Sequence, residues 1–97
     1  MKYRLRIVRA ADAELRRIPV FYRRQIASAI EKTLTLEPTK ESRARIKKLI
    51  QPAASVYRLR TGDYRVFYDV VGDLVTILHI MHKKDCKELY GGLPHES

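Results

Sequence analysis

The stretch YRLRTGDYRVFY, residues 57–68, decides the fold of this 97-residue chain. Its two halves are rich in Tyr, Val, Leu and Phe in alternation with other side chains, which is typical of strands. Gly62-Asp63 lies between them, and this pair favours a two-residue hairpin turn of type I′ or II′. A three-residue loop would bury a charge among apolar groups, so we prefer the two-residue turn. The stretch therefore predicts an antiparallel hairpin of defined register.

This register separates the side chains of the hairpin into two faces. The apolar face holds Tyr57, Leu59, Tyr64, Val66, Tyr68 and Val70, and the opposite face, here called the arginine face, holds Arg58, Arg60, Arg65 and Phe67. Arg60 and Arg65 are directly opposite and should repel each other. We therefore expect an anion to bind between them.

A second Gly-Asp pair, Gly72-Asp73, extends the hairpin to a three-stranded antiparallel meander. The strands are predicted at Ser55–Arg60, Tyr64–Val70 and Leu74–Met81. Uninterrupted alternation along the third strand places Val75, Ile77, His79 and Met81 on the apolar face and Thr76, Leu78, Ile80 and His82 on the arginine face. His79 is then expected to be a hydrogen-bonded core histidine, and His82 to join the arginines.

The chain before the meander predicts one strand and two helices. Period-two alternation predicts a strand over Lys2–Val8, Ala11, Leu15 and Ile18 have helical spacing, and a longer helix is predicted from about Val20 to Leu36. Residues 39–54 are weakly patterned, and a short helical turn is one option for them. The sequence thus predicts an α+β fold: strand–helix–helix followed by a three-strand antiparallel meander, with the helices packed on one face of a small, mostly antiparallel sheet. We expect a single domain over 1–97, with 91–97 as a flexible tail.

The charge of the chain indicates the class of its partner. The formal net charge is +9, and residues 1–50 carry all of this surplus, with 14 basic and 5 acidic side chains. A surplus of this size favours a polyanionic partner such as nucleic acid, a ribosome, an anionic membrane surface or an acidic protein.

The same composition favours a cytoplasmic protein. Cys86 is the only cysteine, so the chain cannot form an internal disulfide. No apolar run approaches the length of a membrane span or of a signal peptide, and no membrane partner is expected. The residue spacings resemble no metal site or nucleotide-binding glycine motif, and no cofactor is predicted.

The stretch quoted above, with the second Gly-Asp turn, the apolar strand and HKKD at 82–85, resembles the RelE/ParE superfamily of toxins from bacterial type II toxin–antitoxin modules. The order of elements matches over roughly residues 2–90. The resemblance implies a RelE-like fold and a cognate antitoxin protein as partner. It leaves two activities open, since RelE-type members cleave mRNA at the ribosome and ParE-type members poison DNA gyrase without RNA chemistry.

The resemblance to the RelE branch also implies roles for individual residues. Arg65 matches the arginine that contacts the scissile phosphate, and Lys84 falls where that branch often has an arginine. Tyr90 aligns with its C-terminal tyrosine when the spacing is counted from His82, although relatives with a shorter tail would place this tyrosine at Lys87. Arg58 matches a basic position on the strand before Gly62-Asp63, and the loop that ends in Lys47-Lys48-Leu49 belongs to the matching order of elements. We expect Arg58, Lys47 and Lys48 to bind RNA. Val56 departs from the pattern because a second basic residue is expected there.

These residue types suit RNA cleavage without a metal. The 2′-hydroxyl attacks phosphorus, so the enzyme must remove its proton, stabilise the added negative charge and protonate the leaving 5′-oxygen. Arginine suits charge stabilisation because its guanidinium pairs with two phosphate oxygens, and Arg65 with Arg58 or Arg60 is the candidate. His82, Lys84 and Tyr90 are candidates for proton transfer, and Phe67 for stacking on a base.

Each of these residues also has a structural interpretation. The arginines suit a solvated face or a surface for antitoxin carboxylates, His82 suits a polar strand end, and Phe67 suits packing. Three hypotheses follow: a ribosome-associated mRNA endonuclease, a gyrase poison, and a nontoxic RNA-binding or antitoxin-sequestering relative.

Overall fold

One mixed sheet of five strands organises the computed structural model, which describes residues 2–49 and 56–86. The strands are β1 (Arg4–Ile7), β2 (Ile46–Lys48), β3 (Val56–Thr61), β4 (Tyr64–Val71) and β5 (Leu74–His82), in the spatial order β1-β5-β4-β3-β2. β1 is parallel to β5, and the other pairs are antiparallel. The predicted α+β architecture is confirmed.

The register of the β3–β4 hairpin agrees with the prediction at every pair. Arg58 lies opposite Phe67, and Arg60 lies opposite Arg65. Gly62 has a φ of +61°, whereas Asp63 has a negative φ. A positive φ at the first central residue alone is the pattern of a type II′ turn, so the structure decides between the two turn types that the sequence left open.

A β-bulge in β5 corrects the predicted faces of the third strand. Tyr68 pairs with Ile77, but the next pair is Phe67 with His79, so Leu78 is an extra residue. Such an insertion moves every later side chain to the opposite face. The prediction that Ile80 and His82 lie on the arginine face is therefore wrong, since Ile80 pairs with Val66 and His82 with Tyr64. The prediction that His79 and Met81 lie on the apolar face is wrong for the same reason, since they pair with Phe67 and Arg65.

Two helices follow β1, as predicted, and the α-helical part of the second ends at Ala29, before the predicted Leu36. The first, α1, spans Arg9–Arg17, and α2 spans Val20–Ala29. A π-helical segment, Ile30–Leu34, continues α2. Pro19 separates the two helices, and Pro38 follows the π-helical segment. Its position agrees with the rule that the residue before proline avoids helical backbone.

The edge strand β2 corrects the sequence interpretation of residues 39–54. The optional helical turn around Ile46 is wrong, because Ile46–Lys48 forms a strand that pairs with Leu59, Arg58 and Tyr57 of β3. Ile46 is buried, while Lys47 and Lys48 are exposed. Three residues give too short an alternation to recognise a strand in the sequence.

The sheet is packed on both faces. The helices cover the apolar face, where buried residues from α1, α2 and the central strands form the main core. Tyr68 is anchored in this core, because its hydroxyl donates a 2.6 Å hydrogen bond to the carbonyl oxygen of Pro38. A smaller cluster lies on the arginine face and consists of Leu49, Val56, Phe67 and Cys86 with Leu78 and Met81. The arginine face is therefore partly a second core and not an open surface.

None of the helices in the described residues is long and apolar enough to cross a membrane. The predicted flexible tail at 91–97 lies outside the described residues.

Candidate functional site

Arg65 lies at the end of the β3–β4 hairpin and is fully buried. Its Nη1 atom donates hydrogen bonds of 3.0 Å to the carbonyl oxygens of both Gly62 and Tyr64. The guanidinium thus turns back onto its own hairpin. These two carbonyl dipoles face the guanidinium and favour its positive charge beside Arg60.

The segment after β5 is attached to the same hairpin turn. The backbone N–H of Lys83 donates a 2.8 Å hydrogen bond to the carbonyl oxygen of Asp63, and Lys83 Nζ lies 3.6 Å from Asp63 Oδ1. The 3-10 turn Lys83–Asp85 follows directly. The two central residues of the turn are therefore bound by residues from two separate parts of the chain, Arg65 and Lys83.

Lys84 is exposed within this 3-10 turn. Its backbone N–H donates a 3.1 Å hydrogen bond to Nδ1 of His82, which acts as the N-terminal cap of the turn. Lys84 is therefore held at the hairpin end that also carries Arg65 and the exposed Arg60. Tyr90, the fourth candidate for the chemistry, lies outside the described residues.

Arg58 and Phe67 form a cross-strand pair deeper on the arginine face. Arg58 is 4% exposed and Phe67 is fully buried in the smaller cluster. The ring of Phe67 thus has no face open to a nucleobase, which agrees with the packing interpretation. Lys47 of β2 lies opposite Arg58 and is exposed, so it provides an accessible charge in this cross-strand row. Lys48, also exposed, lies opposite Tyr57.

His82 lines a cleft on the helix side of the sheet. Its ring lies 5.3 Å from the Tyr64 ring, centroid to centroid, in an edge-to-face arrangement. The cleft has a volume of about 600 Å³ and is bordered by residues of α1, the α1–α2 junction and the end of β5. The bulge in β5 separates His82 from the arginines, so the structure does not bring these predicted partners together.

A carboxylate that the sequence analysis did not select contacts the same strand. Glu14 of α1 lies 3.2 Å from His79 Nδ1, and its other oxygen accepts a 2.9 Å hydrogen bond from the backbone N–H of Ile80. The expected hydrogen bond of His79 is confirmed, but its expected place in the core is wrong, since the side chain is partly exposed and pairs across the sheet with Phe67. No sequence signal joins residues so far apart in the chain.

Within residues 2–49 and 56–86, no group of three or more His, Cys, Asp or Glu side chains is placed to hold a metal ion. The hairpin end carries the cations Arg60, Arg65, Lys83 and Lys84 beside the carboxylates of Asp63 and Asp85, and Asp63 is paired with Lys83. Such a set is suited to binding an anion.

Comparisons with known proteins agree on the class of protein. RelE3, a toxin of Methanocaldococcus jannaschii, is 27% identical over 77 residues, which cover 79% of this chain and 86% of the relative. The toxin–antitoxin complex RelBE2 of Mycobacterium tuberculosis contains a chain with a TM-score of 0.75 and 25% identity, and the match covers 84% of this chain and 99% of that one. The archaeal RelE–RelB complex of Pyrococcus horikoshii contains one with a TM-score of 0.68 and 28% identity, covering 84% and 96%.

A family model described as the ParE toxin of the type II toxin–antitoxin system parDE matches residues 5–85, from β1 to the end of the 3-10 turn. The matched region includes the hairpin and both Gly-Asp turns. The chain belongs to this toxin family, within the RelE/ParE superfamily.

Proposed function

We propose that this toxin is an endoribonuclease that cleaves mRNA at the ribosome by attack of the 2′-hydroxyl on the adjacent phosphate. The observation that carries the proposal is the attachment of Lys83-Lys84 to the turn that Arg65 also binds. Through this attachment Lys84 lies at the end of the sheet that carries Arg60 and Arg65. The similarity to RelE3 supports the RelE type of activity.

Of the exposed cations of this end, Arg60 and Lys84 are assigned to initial contact with the phosphate, and Lys83 pairs with Asp63. Arg65 supplies the third positive charge, and its direct contact with the phosphate requires that the guanidinium be uncovered when RNA binds. A buried cation next to the reacting group stabilises added negative charge more strongly than one in water. Lys47 and Arg58 extend the positive potential along the sheet toward β2, and Lys48 adds charge at that edge.

The reaction forms a bond between the 2′-oxygen and phosphorus while the bond from phosphorus to the 5′-oxygen breaks. A base takes the 2′-hydroxyl proton, and an acid returns a proton to the leaving 5′-oxygen. We assign removal of the 2′-hydroxyl proton to Lys84 and protonation of the leaving 5′-oxygen to Tyr90. His82 is assigned a positioning role, because its Nδ1 accepts the N–H of Lys84 from the opposite face of the sheet.

A cognate antitoxin is proposed as the second partner. The solved relatives from Mycobacterium tuberculosis and Pyrococcus horikoshii are toxin–antitoxin complexes. The basic surface of this chain favours an antitoxin segment that carries carboxylates. We also propose that the toxin acts in the cytoplasm, where its RNA target is present.

Poisoning of DNA gyrase is the second candidate, because the matching family model describes ParE toxins. The burial of Arg58 and Arg65 also favours it, since a protein-binding toxin needs no exposed arginine cluster. The nontoxic relative remains the third hypothesis, and it predicts normal growth when the chain is expressed without an antitoxin.

The test is induction of the toxin in cells, followed by mapping of transcript 5′ ends and by a growth assay. Lys84→Gln should reduce the number of breaks and the growth arrest at least tenfold. Lys83→Gln is the matched control, because Lys83 is a neighbouring exposed lysine whose side chain pairs with Asp63. Intact transcripts with breaks in DNA would support the gyrase poison and overturn the proposal.

A further inference from the structure

A second cationic surface lies on α2 and on the π-helical segment that continues it, away from the arginine face. Arg24, Ser28 and Lys32 recur every four residues, and Arg45 approaches them from the loop before β2. Together they border a groove of about 550 Å³, here called the α2 groove, whose other lining residues are Gln25, Ala29 and Thr33. The Nη2 atom of Arg45 donates a 3.4 Å hydrogen bond to the hydroxyl of Thr33, which holds the guanidinium over the groove.

The three cations of the groove are exposed and are not neutralised locally. In the part of the chain that the structure describes, no carboxylate lies within ion-pair distance of Arg24, Lys32 or Arg45. Two exposed acids of the surrounding segments are engaged elsewhere, since Glu37 contacts Lys40 and Glu41 accepts the backbone N–H of Lys48. Glu31, next to Lys32 in the sequence, does not line the groove and borders a different depression with Lys2 and Leu5. The described lining of the groove therefore contains three cations and no carboxylate.

We propose that the α2 groove binds the phosphate backbone of a nucleic acid. Arg24 and Lys32 are eight residues apart, which corresponds to about 12 Å along a helix. A duplex carries one negative charge per about 1.7 Å of its axis, so roughly seven phosphates pass within this length. Such a polyanion can pair with all three cations at once.

The lining of the groove favours nucleic acid over a protein partner. The centres of protein interfaces are rich in aromatic and other large apolar residues and poor in lysine. Among the described residues that line the groove, Ala29 is the only apolar one. Its surface is thus made of cations and small polar groups, which bind phosphate oxygens without reading bases.

This inference extends the RNA partner of the proposed function to a second surface. It also accounts for part of the positive surplus of residues 1–50, to which Arg24, Lys32 and Arg45 all belong. The α2 groove needs no cleavage in order to bind, so the two proposals can fail independently.

The test measures binding of the purified full-length chain to a short 2′-O-methyl RNA duplex as a function of salt. This probe has no free 2′-hydroxyl and cannot be cleaved by the proposed reaction. The variant is Arg24→Gln/Lys32→Gln/Arg45→Gln, and its control is Lys2→Gln/Arg6→Gln/Arg9→Gln, which removes the same charge from other exposed positions. A DNA duplex of equal length is the second probe, and it shows whether the groove prefers the phosphates of RNA or those of DNA.

The groove variant should lower the slope of log affinity against log salt by about 2.7, since each phosphate contact contributes about 0.9. Between about 50 and 200 mM salt, the unaltered chain should lose about 40-fold more affinity than the groove variant. The control variant should retain the original slope. Equal slopes of log affinity against log salt for the groove variant and the control variant would overturn the proposal. A groove variant that binds RNA fully but no longer binds the antitoxin would overturn it as well.

Discussion

Glu14 of α1 closes the edge of β5 by accepting the backbone N–H of Ile80 at 2.9 Å. Strand β1 pairs with β5 only over Leu74–Ile77, so the edge beyond Ile77 has no strand partner in the described residues. An open edge exposes unpaired backbone groups to other chains. The Glu14 carboxylate substitutes for the missing strand at one of these groups.

Replacing Glu14 tests this role in stability. Glu14→Ala should lower the free energy of unfolding by about 1–3 kcal/mol, because it leaves a buried N–H without its acceptor. Glu14→Gln keeps a carbonyl oxygen at the same position and should cost less than half as much. Denaturant unfolding of both variants measures the difference, and equal losses would show that the hydrogen bond from Ile80 N–H to Glu14 is not responsible.

The type II′ turn at Gly62 gives a second prediction. A φ of +61° strains any residue with a Cβ, although the space around this Cβ is open. Gly62→Ala should therefore cost about 1–2 kcal/mol of stability through the backbone alone. Gly72→Ala, at the same φ, should have a similar effect. Unfolding curves would contradict this explanation if either variant were as stable as the unaltered chain.

Tyr68 predicts how stability depends on alkaline pH. Burial, with a smaller contribution from repulsion by Tyr57, raises the pKa of the Tyr68 phenol above its ordinary value of 10.0. The folded chain therefore keeps the proton at pH values where the unfolded chain releases it. Stability is complete below pH 10.0 and falls as pH rises above it, because deprotonation favours the unfolded state.

The variant Tyr68→Phe isolates this contribution. Its free energy of unfolding at neutral pH should be lower by about 1 kcal/mol, because the hydrogen bond to the Pro38 carbonyl is removed. Above about pH 10 its stability should fall less steeply than that of the unaltered chain. Tyr22→Phe is the control, since it removes the hydroxyl of an exposed tyrosine. Denaturant midpoints measured across this pH range decide, and parallel curves for Tyr68→Phe and the unaltered chain would contradict the explanation.

Arg60 and Arg65 face each other but should respond differently to substitution. Arg65→Met removes the hydrogen bonds to Gly62 and Tyr64 and should cost about 1–3 kcal/mol of stability. Arg60→Met, at an exposed position, should change stability by less than about 0.5 kcal/mol. Thermal unfolding measures both, and similar losses at the two positions would contradict the bracing role of Arg65.

The sequence was sufficient to predict the meander and its first hairpin register because alternation and the Gly-Asp pairs are local signals. It was insufficient at Leu78, where one extra residue in a run of apolar side chains leaves no trace in the pattern. The bulge therefore moved His82 away from the arginines. The burial of Arg65 was also unpredictable, since it depends on carbonyl oxygens that only the folded turn brings into reach.

The chemical ends of mRNA fragments test the central claim most directly. Attack by the 2′-hydroxyl leaves a 2′,3′-cyclic phosphate on the upstream fragment and a 5′-hydroxyl on the downstream fragment. We expect both ends at discrete positions in transcripts isolated after induction, and their loss in Lys84→Gln but not in Lys83→Gln. Intact transcripts, or fragments that carry 5′-phosphates, would contradict the proposed endoribonuclease.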